Sequence, residues 1–237
     1  MLTYHKIGPR PAGARLKGLY LSQKLFAVQL AELRSAGWKS ITLEDASAKG
    51  AVVATPQHIV ITFDDGFRDT LDHALEPLRQ HQFRAIQFIV AGRIGQQNVW
   101  DLPDGEVAAP LMDAAQIREW LAAGHQIGSH SLTHPWLTKL SIDAARQEIS
   151  ASKKLLEDTF GVPIRHFCYP YGDWSPAIRD LVREASYITA CTTEFGVNKP
   201  GDSPLSFKRI TARYASRNWR TFKKWCAGWF SRSWAVP

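Results

Sequence analysis

At 237 residues, 45% apolar and 22% charged, the chain has the make-up of one globular domain with a full core, which excludes a disordered tract. No uninterrupted run approaches the ~20 apolar residues of a spanning helix, and MLTYHKIGPRPAG does not pair a basic segment with an apolar one. With no signal peptide in this chain, the expectation is either a cytoplasmic protein or one whose sequence here is trimmed. The net charge of +7 is concentrated late: residues 203–237 hold eight Lys or Arg and no Asp or Glu. Subtracting these eight leaves 21 basic against 22 acidic residues, so the rest is nearly neutral. Cys168, Cys191 and Cys226 form no C-x-x-C pair, which argues against a disulfide framework or zinc ribbon and for reduced, buried thiols.

In chain order, apolar β-branched runs predict strands at 1–5, 58–63, 84–90, 125–130, 165–169, 187–192 and 207–212. Amphipathic patterns between them predict helices at 23–36 behind a Ser22 cap, 69–81, 114–123, 142–159 after Ser141, and 175–185 after Trp174. Phe26, Leu30 and Leu33 mark the buried face of the first. The stretch 91–113 lacks a period and reads as a long loop. Strands separated by helices imply parallel βα units, hence an α/β barrel or a doubly wound sheet. In either, reactive groups gather at the carboxyl ends of the strands, where His5, Asp64, Asp65, His130 and Tyr171 fall.

His130 and His134 stand four apart, across one helical turn or a tight loop, and can face one ion; alone, the spacing is a weak signal. Gly128 permits an unusual backbone before the pair, and Pro135 favours a turn over a helix at His134. Asp64 and Asp65 end an apolar strand, where two adjacent carboxylates repel and pay for burial unless a cation joins them. One Asp with two His makes an open three-ligand site, leaving the second Asp as a base. The bland reading is a solvated Asp-Gly turn and two unrelated histidines.

TFDDG (62–66) followed by H-S-x-x-H-P (130–135) resembles the signature of the polysaccharide deacetylases, the NodB-homology group of carbohydrate esterase family four. LTYHKI, AELRSAGWKSITLEDA, AAGHQIGSHSLTHPWL and FCYPYGDWS extend the likeness over roughly residues 1–212. The resemblance implies an irregular (β/α)7-type barrel and removal of N-acetyl groups from an amino-sugar glycan or glycolipid. It implies Asp64 as base, with Asp65, His130 and His134 holding one divalent ion, Zn2+ or else Co2+ or Ni2+. Pro170 and Tyr171 would line the substrate groove, the Tyr171 amide serving a developing oxyanion; Trp136 and Trp174 would stack on sugars or merely pack at the rim.

Two departures stand out. Many members place an arginine three residues before the motif tyrosine to pair with the base; here that residue is Cys168, which leaves the base without that partner. The late L-x-H motif is also missing, but LTYH at the start resembles the version in a circularly permuted branch that includes poly-N-acetylglucosamine deacetylases, which makes His5 the acid. Beyond the 1–212 domain, 213–237 reads as a basic, aromatic amphipathic helix. Trp219, Phe222, Trp225, Trp229, Phe230 and Trp234 share an arc opposite Arg217, Arg220, Lys224 and Arg232, which suits an anionic membrane surface contacted through 217–234 or a helix covering the barrel. No nucleic-acid partner is expected. O-acetyl ester or N-formyl hydrolysis, and metal-bound sugar binding without turnover, are the rival functions.

Overall fold

A computed structural model of the chain describes residues 1–48, 57–199 and 201–212. The 213–237 helix expected from sequence lies outside these residues. The fold is a closed barrel of seven parallel strands: β1 (Leu2–Tyr4), β2 (Ile61–Phe63), β3 (Ile86–Ile89), β4 (Gln126–Ser129), β5 (His166–Cys168), β6 (Thr189–Phe195) and β7 (Phe207–Thr211). They follow one another in sequence order and β7 closes on β1, Leu2 standing beside Ile210 on one side and Ile61 on the other. The barrel alternative is thus the correct one, and each expected strand is present; most are shorter than expected, whereas β6 starts later and runs on to Phe195 with an exposed end.

The helices are α1 (Gln23–Ser35), α2 (Leu43–Ala48), α3 (Arg68–Gln80), α4 (Ala114–Ala122), α5 (Ile142–Phe160) and α6 (Pro176–Glu184). Their starts follow capping chemistry. Ser22 and Ser141 accept from the amides of Leu25 and Ala144, and Asp113 makes a reciprocal capping box with Gln116. The cap of α6 is Ser175, not Trp174: its hydroxyl accepts from Ile178 N and Pro176 sits at the first helical position. Phe26, Leu30 and Leu33 turn inward as expected. Tyr4, Phe26, Phe63 and Trp120 pack through the core at centroid spacings of 5.1–5.9 Å, edge-on except for the tilted Tyr4–Phe63 pair.

Pattern reading missed α2 and the short strands Lys6–Ile7, Tyr20–Leu21 and Lys39–Ser40; the first two pair together, and the third pairs with His58–Ile59, the start of the expected 58–63 strand. Two-residue strands carry no period to read. The 91–113 stretch is a loop with short 3-10 turns at Ala91–Arg93 and Leu102–Asp104, pinned by bridges from Phe67 to Leu111 and Gln97 to Pro110. Cys168 and Cys191 are free, buried neighbours on β5 and β6.

Candidate active site

Five chemically capable residues sit at the carboxyl rim, each just past or near a strand end: His5 after β1, Asp64 and Asp65 after β2, His130 after β4 and Tyr171 after β5. The turn after β2 separates the two carboxylates. Asp64 continues the strand, its amide donating to Tyr4 O at 3.0 Å. Asp65 (φ 74°) and Gly66 (φ 80°) then take consecutive left-handed conformations. Such a backbone is costly for aspartate and easy for glycine, so the surrounding structure is holding Asp65 in place.

Asp65 Oδ1 lies 3.3 Å from His130 Nε2 and 3.3 Å from His134 Nε2, all three residues being buried. That spacing is long for a hydrogen bond but fits donors around a tetrahedral ion with bonds of about 2.0 Å, which stand about 3.3 Å apart. The ring chemistry agrees. His130 Nδ1 lies 2.7 Å from the Cys168 carbonyl, an acceptor, so that nitrogen carries the proton and Nε2 offers its lone pair. These residues therefore suit a divalent ion. Asp64, His130 and Cys168 also converge within ligand range. That set is the poorer one, because both oxygens of Asp64 are engaged and burial pushes the Cys168 thiol well up, keeping it protonated. Burial raises the Asp65 carboxyl, but the two imidazoles more than reverse this and hold it well below the usual range.

The histidine loop is a tight turn and not a helix. Ser131 (φ 64°) and His134 (φ 68°) are both left-handed, and His134 N donates to Ser131 Oγ at 3.0 Å. Glu148 on α5 gathers the amides of Leu132 and Thr133 and the Thr133 hydroxyl at 2.7–3.0 Å. Gly128 serves packing instead of an unusual backbone: a Cβ there would lie 2.7 Å from the Phe88 ring and 2.9 Å from His166 O.

The structure corrects the expectation about the base. Asp64 does not lack an arginine; the guanidinium arrives from across the barrel, on β7. Arg209 Nη1 donates to Asp64 Oδ1 and Nη2 to Oδ2, both at 2.7 Å. Its other donors reach Thr62 Oγ1, Cys168 Sγ and Thr192 O at 2.9–3.1 Å, so all five N–H groups are used while the residue is 1% exposed. Cys168, standing where the arginine was expected, receives one of those bonds. Burial raises the Asp64 carboxyl and Arg209 overrides it, leaving the pKa below its ordinary value. His5 Nε2 lies 3.8 Å from Asp64 Oδ2 with 19% of its side chain exposed, and burial holds its pKa below an ordinary histidine's.

Aromatic residues stand beside the histidine turn. Trp136, 43% exposed, stacks flat on Tyr171 at 4.2 Å, and Tyr171 meets His134 edge-on at 4.5 Å. Tyr171 follows Pro170 in a left-handed conformation (φ 59°), in a turn closed by bonds from Gly172 N to Tyr169 O and Asp173 N to Pro170 O. Trp174 is half-buried and donates to Glu194 at 3.0 Å, closer to rim packing than to a platform. Sequence reasoning missed Trp100, whose ring stacks on His134 at 4.4 Å, because it lies in an aperiodic loop.

Known proteins resemble the chain in sequence and fold. The polysaccharide deacetylase family profile matches residues 51–190, more than half of the chain. The chain is 25% identical over 212 residues to the putative polysaccharide deacetylase YxkH of Bacillus subtilis, spanning 89% of this chain and 70% of that protein. It is 33% identical over 128 residues to the chitooligosaccharide deacetylase of Azorhizobium caulinodans, 53% of each. IcaB from Ammonifex degensii shares the fold, with a TM-score of 0.81 over 95% of each chain at 24% identity. On the family match and this barrel, the chain belongs to the polysaccharide deacetylase family.

Proposed function

We propose that the chain is a metal-dependent carbohydrate deacetylase that cleaves the N-acetyl group of an amino sugar. The observation that carries this is the division of labour between adjacent carboxylates: Asp65 turns to two imidazoles while Asp64 is held on Arg209, free of that trio. Asp65, His130 and His134 would hold a divalent ion, which when bound would supply Lewis acidity toward the acyl carbonyl and the attacking water. Asp64 accepts the proton as that water adds to the acyl carbon. The Tyr171 amide donates to the developing oxyanion. His5 delivers a proton to the departing nitrogen; the C–N bond breaks, giving acetate and a free amine. Its depressed pKa makes the charged imidazole a stronger acid, and 3.8 Å from Asp64 it is near enough to exchange a proton through a small shift or one water.

The relatives' names support a carbohydrate substrate. Trp136 on Tyr171 offers an apolar face of the kind sugar rings stack on. The basic, aromatic composition of 217–234 supports a further reading, contact with an anionic membrane and a lipid-linked sugar at the inner face. Flotation with anionic vesicles, full-length against a form ending at Ser216, tests it; equal behaviour disposes of it.

The primary test is acyl release from N-acetyl, O-acetyl and N-formyl sugars with Zn2+, Co2+ or Ni2+ added. Preferred release from N-acetyl substrates is expected. Preference for the ester or the formamide would replace the bond but keep the machinery. Saccharide binding without turnover would make the protein a metal-bound lectin instead. Asp64→Asn should bind metal normally and lose about 100- to 10,000-fold in rate.

A further inference from the structure

Asp101 is a buried carboxylate that the proposed mechanism leaves unused. It follows Trp100, the residue stacked on His134, and is 6% exposed. Its place is fixed from within its own loop. Oδ2 accepts from Asn98 Nδ2 at 2.9 Å, and buried Asn98 is itself fixed by Ala109 N at 2.7 Å. The Asp101 carbonyl accepts from the amides of Asp104 and Glu106 at 3.1 and 3.2 Å. Among the described residues, Oδ1 takes no hydrogen bond and no cationic nitrogen lies within 4.0 Å of the carboxylate, and Oδ1 is not one of the enclosed unpaired oxygens, so it opens to solvent. Lys6, the cation whose field Asp101 feels, is turned to Tyr20 Oη at 3.1 Å and Glu106 Oε1 at 4.0 Å.

A carboxylate oriented by its own loop and buried except for one open oxygen presents that oxygen to a ligand's donors, and such groups collect at binding sites. Its field reaches the site: burial and then Asp65 push it up to about 6, and its charge adds to the burial that raises the Tyr171 phenol. A carboxylate that is ionised at neutral pH only accepts hydrogen bonds, so its natural ligand is a donor. On an N-acetylated sugar the donors are the hydroxyls and the acetamido N–H; the N–H of the reacting residue belongs to the bond being cleaved, which leaves the hydroxyls. We propose that Asp101 accepts a hydrogen bond from one ring hydroxyl of the bound amino sugar, making it a specificity-determining residue that recognises the saccharide and takes no part in acyl transfer. This deepens the deacetylase reading and rests on it.

The test compares wild type, Asp101→Asn and Asn98→Ala, all zinc-loaded. Probes are β-1,4- and β-1,6-linked tetrasaccharides of N-acetylglucosamine and analogues lacking one ring hydroxyl each. Asp101→Asn is expected to weaken kcat/KM about 10- to 100-fold on the parent sugar, mainly through KM, as loss of a charge-assisted hydrogen bond implies. On one deoxy analogue the variant and wild type should converge to within about twofold, both matching the variant's rate on the parent. Equal losses on every analogue would overturn the proposal. So would a fall in kcat and melting temperature that Asn98→Ala reproduces, since that marks a loop-holding role. Calorimetric binding of the same saccharides separates this from the deacetylase reading. If wild type binds them without releasing acetate, that reading fails, yet weaker binding by Asp101→Asn still upholds the contact. Equal binding, or none by wild type, refutes it.

Discussion

Replacing Arg209 by methionine deletes five buried hydrogen bonds, including both that neutralise Asp64, and leaves a carboxyl 1% exposed without its counter-charge. Removing one partner of a buried pair costs about 3–5 kcal/mol, which for a domain of this size lowers the melting temperature by roughly 6–20 °C. The pH dependence is the sharper signature. In the native protein Asp64 titrates below its unfolded value, so its contribution is present above about pH 4 and fades as pH falls through the lower folded pKa. In Arg209→Met burial acts with far less opposition and the folded pKa rises above the unfolded one. The penalty is then absent below about pH 4, where the carboxyl is protonated in both states, and grows as pH rises. Urea unfolding of chelator-treated wild type and variant from pH 3.5 to pH 7 should therefore show a gap that widens upward. Arg209→Lys, a point charge without the fork, should recover part of it. A gap under about 1 kcal/mol, or one constant with pH, would refute the pairing as the source of Asp64's ionisation.

Three other outcomes follow from the geometry. Glu148→Ala frees the amides of Leu132 and Thr133 and should weaken zinc about 10- to 100-fold in competition with a chromophoric chelator; unchanged affinity would mean the His134 turn holds itself. His134→Ala should abolish stoichiometric zinc binding while the barrel's circular dichroism persists. Trp136→Ala should raise KM for oligosaccharides with kcat little changed, and a matched fall in both kcat and kcat/KM would instead tie the ring to transition-state alignment of Tyr171.

The barrel was legible because its strands are short apolar runs spaced by helical periods, and a parallel sheet buried on both faces leaves that trace. The motif residues were legible because adjacent carboxylates on an apolar strand need a reason. Arg209 was not, since pairing across a closed barrel, from β7 to β2, has no signature in local spacing. A sign was present all the same: an arginine at a buried position of the FKRIT strand must find an anion. Its absence from the Cys168 position suggested an untuned base, whereas the charge is supplied from another strand at the same point in space. Gly128 was read as backbone freedom, but the crowding beside it is set by Phe88 and His166, which are distant in sequence. Trp100 and Asp101 lay in a loop whose course depends on Asn98, Glu106 and the bridges to Leu111 and Pro110, none of which a periodic pattern records.

The most direct test of the account is anomalous diffraction at the zinc edge from crystals of the zinc-loaded protein. The account predicts one peak per chain, bonded to Asp65, His130 and His134 at about 2.0–2.2 Å, with Asp64 still forked on Arg209. Zinc bound instead to Asp64 or Cys168, or no peak at this trio at full loading, would contradict it.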